Sequence, residues 1–437
     1  IKSKSVFFNV AECSLALLNE VLSSKTDDEK ANDIQKRIAP LLKSIGLVIL
    51  ILIIGVFLFI LPDIVSSLLG FDASIKGDEY LSWQHIALFS LGTVIPFLKW
   101  KRNKSISGYS DLSKLLHRII LDNYNVSKLL FKKDKKSNQI KPKEEFLIIT
   151  GLARSGTTSL MNYLSNQKLF SSLNYANMPF VLSPNLWKNI YNPKKNIEKE
   201  RAHQDGIKIG FSSSEALEEY FFKAFLDDGY IDKLSLNQHE ISPEIYSEYL
   251  NYQALTRVKD QSIYLAKNNN YLLRYESLRK QNKKFKIVVM LREPLSHAAS
   301  LLKQHKSFIN QQKKDGFVLE YMNWLGHHEF GSNQKPFYFN GSHSIKETDK
   351  RKLDYWLGIC LNYYTYLLSI DLGSVIIMDY ESYCKTPVEH LNFVLNQFEM
   401  EKIKNAIKPF NPSKPENLSC SESLLVSAQK KYEELKQ

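Results

Sequence analysis

At 437 residues, 44% of them apolar, the chain is long enough for one large domain with an accessory region and can bury a sizeable core. Four scattered cysteines, Cys13, Cys360, Cys384 and Cys420, show neither metal-ligand spacing nor the density of a disulfide framework, which points to a reducing compartment and no structural zinc. The net charge of +12 suits an anionic membrane surface or a highly anionic small ligand. Its basic residues are not grouped with aromatics in any recognisable module, so nucleic acid is not the expected partner.

Residues 1–43 alternate apolar and charged positions as amphipathic helices do, and no cleavable signal peptide is visible. Ile45 to Leu61 then runs without a charge, and with its flanks approaches the roughly 20 apolar residues needed to cross a bilayer. A second uncharged stretch, Leu81 to Leu98, is followed at once by Lys99, Lys101, Arg102 and Lys104. Residues 44–100 therefore read as a transmembrane hairpin with spans at about 44–62 and 81–98. Lys36, Arg37 and Lys43 precede it, and Asp72, Asp78 and Glu79 occupy its connecting loop. The positive-inside rule then puts both ends in the cytoplasm and makes the chain an integral membrane protein with a cytoplasmic main domain. Residues 101–144 form a helical, basic linker whose Lys132, Lys133, Lys135, Lys136, Lys141 and Lys143 would be drawn to anionic lipid.

The main domain, residues 145–437, opens on FLIITGLARSGTTSLMNYL, residues 146–164. Phe146 to Thr150 are apolar or β-branched and stop at Gly151, as a buried strand does at a tight turn. Thr157, Thr158 and Ser159 supply hydroxyls and orphan N–H groups at a helix start, so strand, loop and helix together form a nest for a phosphate. The spacing matches the nucleotide-binding P-loop except that Thr157 replaces the lysine that reaches the β and γ phosphates of ATP. Arg154, inside the loop, offers a cation in its stead. Arg154-Ser155-Gly156-Thr157-Thr158 resembles the [KR]-S-G-T-T loop of the sulfotransferases that use 3′-phosphoadenosine 5′-phosphosulfate (PAPS), in which that loop binds the 5′-phosphosulfate.

From His203 to Phe225 a turn becomes an amphipathic helix, with Ser213 or Ser214 as its expected N-cap and Glu215, Glu218 and Glu219 in its early turns. Acidic residues there suit the helix dipole, and one of them could instead accept a proton from an acceptor hydroxyl. Ile287 to Leu291 is a second continuous apolar strand, with Arg292 at its carboxyl end and Pro294 at the first position of a following helix. Ser300 lies eight residues past Arg292, where the two can converge on one phosphate at the edge of a parallel sheet. His327, His328 and Glu329 are too close in sequence to face one ion, and no metal is expected. Leu353 to Leu368, with Trp356, Cys360 and Tyr364 at helical spacing, reads as core packing. Ser374 to Met378 is a third strand, followed by Asp379, Tyr380 and Glu381.

Arg292, Pro294 and Ser300 look like the R-x-P…S element that holds the 3′-phosphate in the same family, and the two motifs stand in that family's order. The resemblance covers about residues 145–400 and implies an α/β fold, a P-loop-like doubly wound parallel sheet with flanking helices. It implies PAPS as donor, PAP as product and no metal. Arg154, Ser155, Gly156, Thr157, Thr158, Ser159, Arg292, Ser300 and Tyr380 would bind the donor, with Tyr380 reaching the adenine, and Lys267 would contact the transferring sulfonate. Glu215 or Glu219, with His203 and Asp205 behind them, would serve as base. The tryptophan and glycine-rich motif of the cytosolic branch are missing, as is the acidic residue that the tyrosylprotein branch carries after its loop. The first departure argues against small phenols and steroids as acceptors, and the second means that the base comes from elsewhere; the membrane hairpin beside a cytoplasmic site suggests instead a hydroxyl on a glycan or lipid-linked saccharide at the membrane, with self-association through the transmembrane region a further expectation. Two other readings stand beside this one: a P-loop kinase, for which Asp379 would imitate the Walker B aspartate, and a non-enzymatic membrane protein with a degenerate nucleotide site.

Overall fold

The computed structural model describes residues 2–23, 26–68, 111–191, 199–200, 208–209, 216–340, 349–373, 375–403, 407, 409 and 419–437. They fall into two compact units, Ile1–Val126 and Ser127–Gln437.

The first unit contains α1 (Lys2–Val21), α2 (Asp27–Leu68) and α3 (Asp111–Leu121). The polar half of α2 is tied to α1 where Arg37 Nη2 meets Glu20 Oε1 at 2.8 Å, with the Glu20 carboxylate largely buried. Beyond that tie α2 turns apolar, and Leu42, Ile49, Leu50 and Ile53 stand exposed along it. The stretch Glu29–Phe57 has a mean hydropathy of 2.5, with none of its most apolar window buried, and is long and apolar enough to cross a bilayer. The helix runs through Pro62 to Leu68, although that proline was the expected end of the first span. Proline removes a single backbone donor, and the turns on either side keep their own bonds. The second expected span, 81–98, lies outside the described residues, and with it the hairpin.

In the second unit, five parallel strands form the central sheet: β1 (Phe146–Thr150), β2 (Phe170–Ser171), β3 (Ile263–Lys267), β4 (Lys286–Leu291) and β5 (Val375–Asp379). Their order is β2-β3-β1-β4-β5, in register at Ile149 with Lys267, Thr150 with Val289 and Leu291 with Asp379. Strand β1 carries an unbroken apolar run because both of its faces are covered, and all five of its residues are buried.

On one face Leu147 and Ile149 pack with Leu160, Met161 and Leu164 of α5 (Thr157–Ser165) and with Leu391 and Val394 of α14 (Pro387–Asn396). On the other, Phe146 stacks on Phe285 with ring centroids 4.9 Å apart and meets the edge of Tyr249, on α8 (Pro243–Thr256), at 5.8 Å. In chain order α6 (Pro184–Ile190) and α7 (Glu219–Phe225) come between β2 and β3, and α9 (Tyr275–Gln281) between β3 and β4. After β4 come α10 (Pro294–Lys314), α11 (Phe317–Trp324), α12 (Leu353–Ser369), α13 (Tyr380–Lys385) and, past α14, α15 (Glu422–Lys436). The α4 helix (Tyr124–Ser137) precedes β1.

From β1 the chain builds β2 and β3 on one side and then crosses to lay β4 and β5 on the other. Chain direction across the sheet thus reverses at β1, and the carboxyl end of that strand opens into the crevice where doubly wound sheets bind ligands. The structure differs from expectation at α7, which starts at Glu219, with Ala216 and Leu217 ahead of it not helical; Ser213, Ser214 and Glu215 lie outside the described residues.

Ile149 is wholly buried at the centre of the sheet, so Ile149→Ala should destabilise the second unit by about 2 to 5 kcal/mol. Thermal unfolding of the detergent-solubilised chain, followed by circular dichroism, checks this through a lowered midpoint.

Candidate active site

The loop between β1 and α5 takes a left-handed turn twice, at Arg154 with φ 72° and at Gly156 with φ 93°, and Gly151 before them has φ 147°. Both glycines are required by space as well as by φ. A Cβ on Gly151 would lie 2.7 Å from Met290 O and from Ser155 Oγ, and one on Gly156 would lie 2.4 Å from the Tyr380 ring. Alternating right- and left-handed residues curl the backbone into a concave nest whose N–H groups converge, ahead of the positive end of α5.

Three strand ends deliver side chains to this loop. From β3, Lys267 Nζ donates to Thr158 Oγ1 at 3.2 Å. From the end of β4, Arg292 Nη1 donates to Arg154 O at 2.8 Å. From the end of β5, Tyr380 lies against Gly156, with the Arg292 guanidinium 5.0 Å from its ring centroid. Arg154 Nε in turn donates to Ser300 Oγ at 3.3 Å, so residues 146 positions apart share one site. Pro294 opens α10 as its first residue, and the Glu293 carboxylate caps it by accepting from Leu295 N and Ser296 N at 3.0 and 2.7 Å. That cap fixes the turn from which Arg292 projects. Burial pulls the Arg292 pKa below its ordinary value, and the nearby Tyr380 and Glu381 partly offset this, so the guanidinium stays charged.

Two expected donor contacts have other partners. Ser155 is completely buried and its N–H turns back to Leu152 O at 3.3 Å, while Ser159 Oγ lies 3.3 Å from Tyr383 OH. Thr158, by contrast, meets Lys267 through its hydroxyl.

Beneath the Lys267 strand end lies a buried polar network that sequence reasoning missed. Asn268 N donates to Ile149 O at 2.9 Å, and Asn268 Nδ2 donates to Glu218 Oε1 at 3.0 Å and Glu219 Oε2 at 2.9 Å. Glu219, expected as a base, is gripped by Arg274 through Nη1 and Nη2, both at 2.7 Å, and also accepts from Tyr230 OH. With side-chain exposures of 4% and 0%, this is a dry ion pair. Burial works against the charge, but Arg274 overrides it and holds the Glu219 pKa down at about 2. A carboxylate so well satisfied is a weak proton acceptor, and the position serves the fold instead. Glu218, hydrogen-bonded by Tyr249 and Tyr264, has its pKa pushed up, chiefly by burial. Arg274 Nε also donates to His239 Nε2 at 3.0 Å, while His239 Nδ1 meets Asn237 O at 2.9 Å. This fixes a neutral ring, in keeping with a pKa lowered to about 4, first by burial and then by Arg274. The legible trace of this network was the polar run Asn268, Asn269, Asn270 directly after an apolar strand.

The remaining candidate bases, His203, Asp205 and Glu215, lie outside the described residues. Asp379 is an N-cap: its carboxylate accepts from Ser382 N at 2.9 Å and Ser382 Oγ at 2.7 Å, and also from Tyr432 OH. His327 bonds Ala216 O, His328 bonds Asn333 O and Glu329 bonds Asn269, each in a different direction. No group of three or more potential ligands that could hold a metal occurs among the described residues.

No family profile matches the chain, and no curated protein matches it. Among solved structures, sulfotransferase STF1 from Mycobacterium tuberculosis H37Rv aligns over 84% of this chain and 90% of its own at 14% identity and a TM-score of 0.38. A sulfotransferase from Alicyclobacillus acidocaldarius aligns over 66% and 94% at 13% identity and a TM-score of 0.33. For STF9 from Mycobacterium avium the shares are 77% and 80%, with 11% identity and a TM-score of 0.34.

Removing one partner of a buried ion pair leaves the other charge uncompensated, so Arg274→Met should destabilise the second unit by about 3 to 5 kcal/mol. Glu219 has its folded pKa, about 2, below the ordinary 4.5, so its contribution is present above pH 4.5 and is lost as pH falls towards 2. Denaturant titrations between those pH values should show that loss in the unaltered chain and a shallower one in Glu219→Gln.

Proposed function

We propose that the second unit binds PAPS and transfers its sulfonate to a hydroxyl acceptor. The observation that carries this reading is the convergence of Arg154 and Arg292 on one loop, joined by the 2.8 Å bond from Arg292 Nη1 to Arg154 O, at the switch point of the sheet. Two cationic cradles side by side suit a ligand with an anion at each end of a nucleoside. In this reading Gly156, Thr157 and Thr158 hold the 5′ end through their backbone, with Arg154 beside them and Ser155 and Ser159 shaping the loop from behind. Arg292 and Ser300 hold the 3′-phosphate, and Tyr380 lies along the adenine.

Transfer requires the acceptor oxygen to attack sulfur in line while the bond from sulfur to the PAP phosphate oxygen breaks. Negative charge then grows on that leaving oxygen, and in this reading Lys267 offsets it, a role supported by its 3.2 Å bond to Thr158 Oγ1 at the start of α5. The acceptor proton passes to a carboxylate or imidazole, for which Glu215, His203 and Asp205 are the proposed groups. Positioning and electrostatics suffice for such a reaction, and no metal enters the scheme.

The apolar stretch of α2 supports a membrane setting, from which we infer an acceptor at the bilayer, a glycan or lipid-linked saccharide. The charge pattern of the sequence supports a cytoplasmic active site with the basic linker against anionic lipid, and self-association through the transmembrane region belongs to the same reading. An ATP-dependent kinase is disfavoured by Thr157 in the lysine position and by Asp379, whose carboxylate is taken up by Ser382 and Tyr432.

PAP should stabilise the chain against heat and MgATP should not; at ~100 times its dissociation constant a ligand adds about 2.7 kcal/mol. Arg292→Ala should weaken PAP by about 2 to 5 kcal/mol in calorimetry with the fold intact. A response to MgATP alone would favour the kinase. Radiolabelled sulfonate transfer from PAPS into lipid and polysaccharide extracts identifies the acceptor class.

A further inference from the structure

Behind the two cradles runs a chain of buried groups that the transfer scheme does not use. Ala153 O accepts from His297 Nε2 at 2.9 Å. His297 Nδ1 faces Tyr364 OH at 3.3 Å, and that hydroxyl donates to Arg292 O at 2.6 Å. Arg292 then returns to the loop through its side chain, which donates to Arg154 O at 2.8 Å. These bonds tie the first turns of α10 to the loop, the middle of α12 to the end of β4, and the end of β4 to the loop again, with His297 and Tyr364 in contact between them. His297 and Tyr364 are each 1% exposed, so nothing reaches them from solvent.

Ala153 O only accepts, so Nε2 carries the ring proton; the one Tyr364 hydroxyl proton goes to Arg292 O, so His297 Nδ1 and that oxygen touch at 3.3 Å with no proton between them. The ring is neutral, because burial and then Arg292 hold its pKa at about 3. A planar trans peptide points its N–H opposite its C=O, so drawing Ala153 O to His297 aims Arg154 N–H the other way. Tyr364 fixes the backbone of Arg292 while Arg292 fixes the backbone of Arg154, so neither cradle can shift without the other.

We propose that His297 and Tyr364 are positioning residues that lock the 5′ and 3′ anion cradles at one separation, making the site selective for a nucleoside phosphorylated at both ends. This deepens the donor assignment above and rests on it. A monophosphate engages one cradle and tolerates a change in their spacing. A bisphosphate has to fit both at once.

The test compares PAP, 5′-AMP and 3′-AMP by calorimetry on the full chain and on Tyr364→Phe, His297→Ala and His297→Gln, with amide hydrogen exchange over residues 151–158 read in the unliganded proteins. Tyr364→Phe and His297→Ala should each weaken PAP by about tenfold while either monophosphate changes by less than about threefold. Exchange in the loop should quicken in both. His297→Gln keeps an N–H donor and should recover most of the PAP affinity. Equal losses for all three ligands would mark a merely structural role and overturn the proposal, as would an unchanged PAP affinity. Should the unaltered chain bind no PAP, the donor assignment fails; the exchange data then decide whether these contacts shape the loop, and unchanged rates overturn that as well.

Discussion

The turn from Ala153 to Gly156 is held in a shape that a free peptide avoids. Arg154 sits at a positive φ that costs an ordinary L-residue about 1 to 2 kcal/mol, and the bond its carbonyl accepts from Arg292 is among the interactions that keep it there. Everything at the edge of the sheet depends on that turn. With Arg154 curled back, its side chain reaches Ser300, the backbone of α5 begins inside the crevice, and Gly156 leaves room for the Tyr380 ring. The sheet supplies the stage: because β1 lies between β3 and β4, the residues ending those strands stand on either side of the loop, as Lys267 and Arg292 do.

A second constraint works from below. Two adjacent glutamates are buried within reach of one asparagine, and their surroundings drive their pKa values in opposite directions. Placing a charge there requires Arg274, and placing Arg274 there requires an acceptor for each side of its guanidinium, which Glu219 and His239 provide. The network is expensive in desolvation, and a hydrophobic replacement of like volume would serve stability as well or better. What it secures is the direction of the chain directly after Lys267, since Asn268 is bonded through its backbone to β1 and through its side chain to both glutamates.

The parts of this architecture that were legible in the sequence are those fixed by neighbours along the chain. The apolar runs at 146–150 and 287–291 declare strands, the glycines at 151 and 156 declare the turn, and Pro294 declares the start of α10 two residues past the arginine. Positions settled by distant partners were not legible. The run Ser-Ser-Ser-Glu reads as a helix cap, yet α7 begins at Glu219, where the Glu218 carboxylate points inward to Tyr249, Tyr264 and Asn268. Glu219 itself reads as a helix-dipole residue or a base because Arg274, 55 positions on, cannot be paired with it from spacing. Asp379 looks like a metal ligand after four apolar residues until the Ser382 hydroxyl three places later is seen to occupy it. Tyr364 fits the helical stripe of α12, and its hydroxyl, which donates to Arg292 O, has no periodicity at all.

The contacts that define the crevice join residues far apart in the chain: 109 positions from Lys267 to Thr158, 138 from Arg292 to Arg154 and 146 from Arg154 to Ser300. Closing such long loops is entropically costly and goes unrewarded until several closures are made together. The crevice thus exists only where β3 and β4 both lie against β1, since each of those strands delivers one of its side chains.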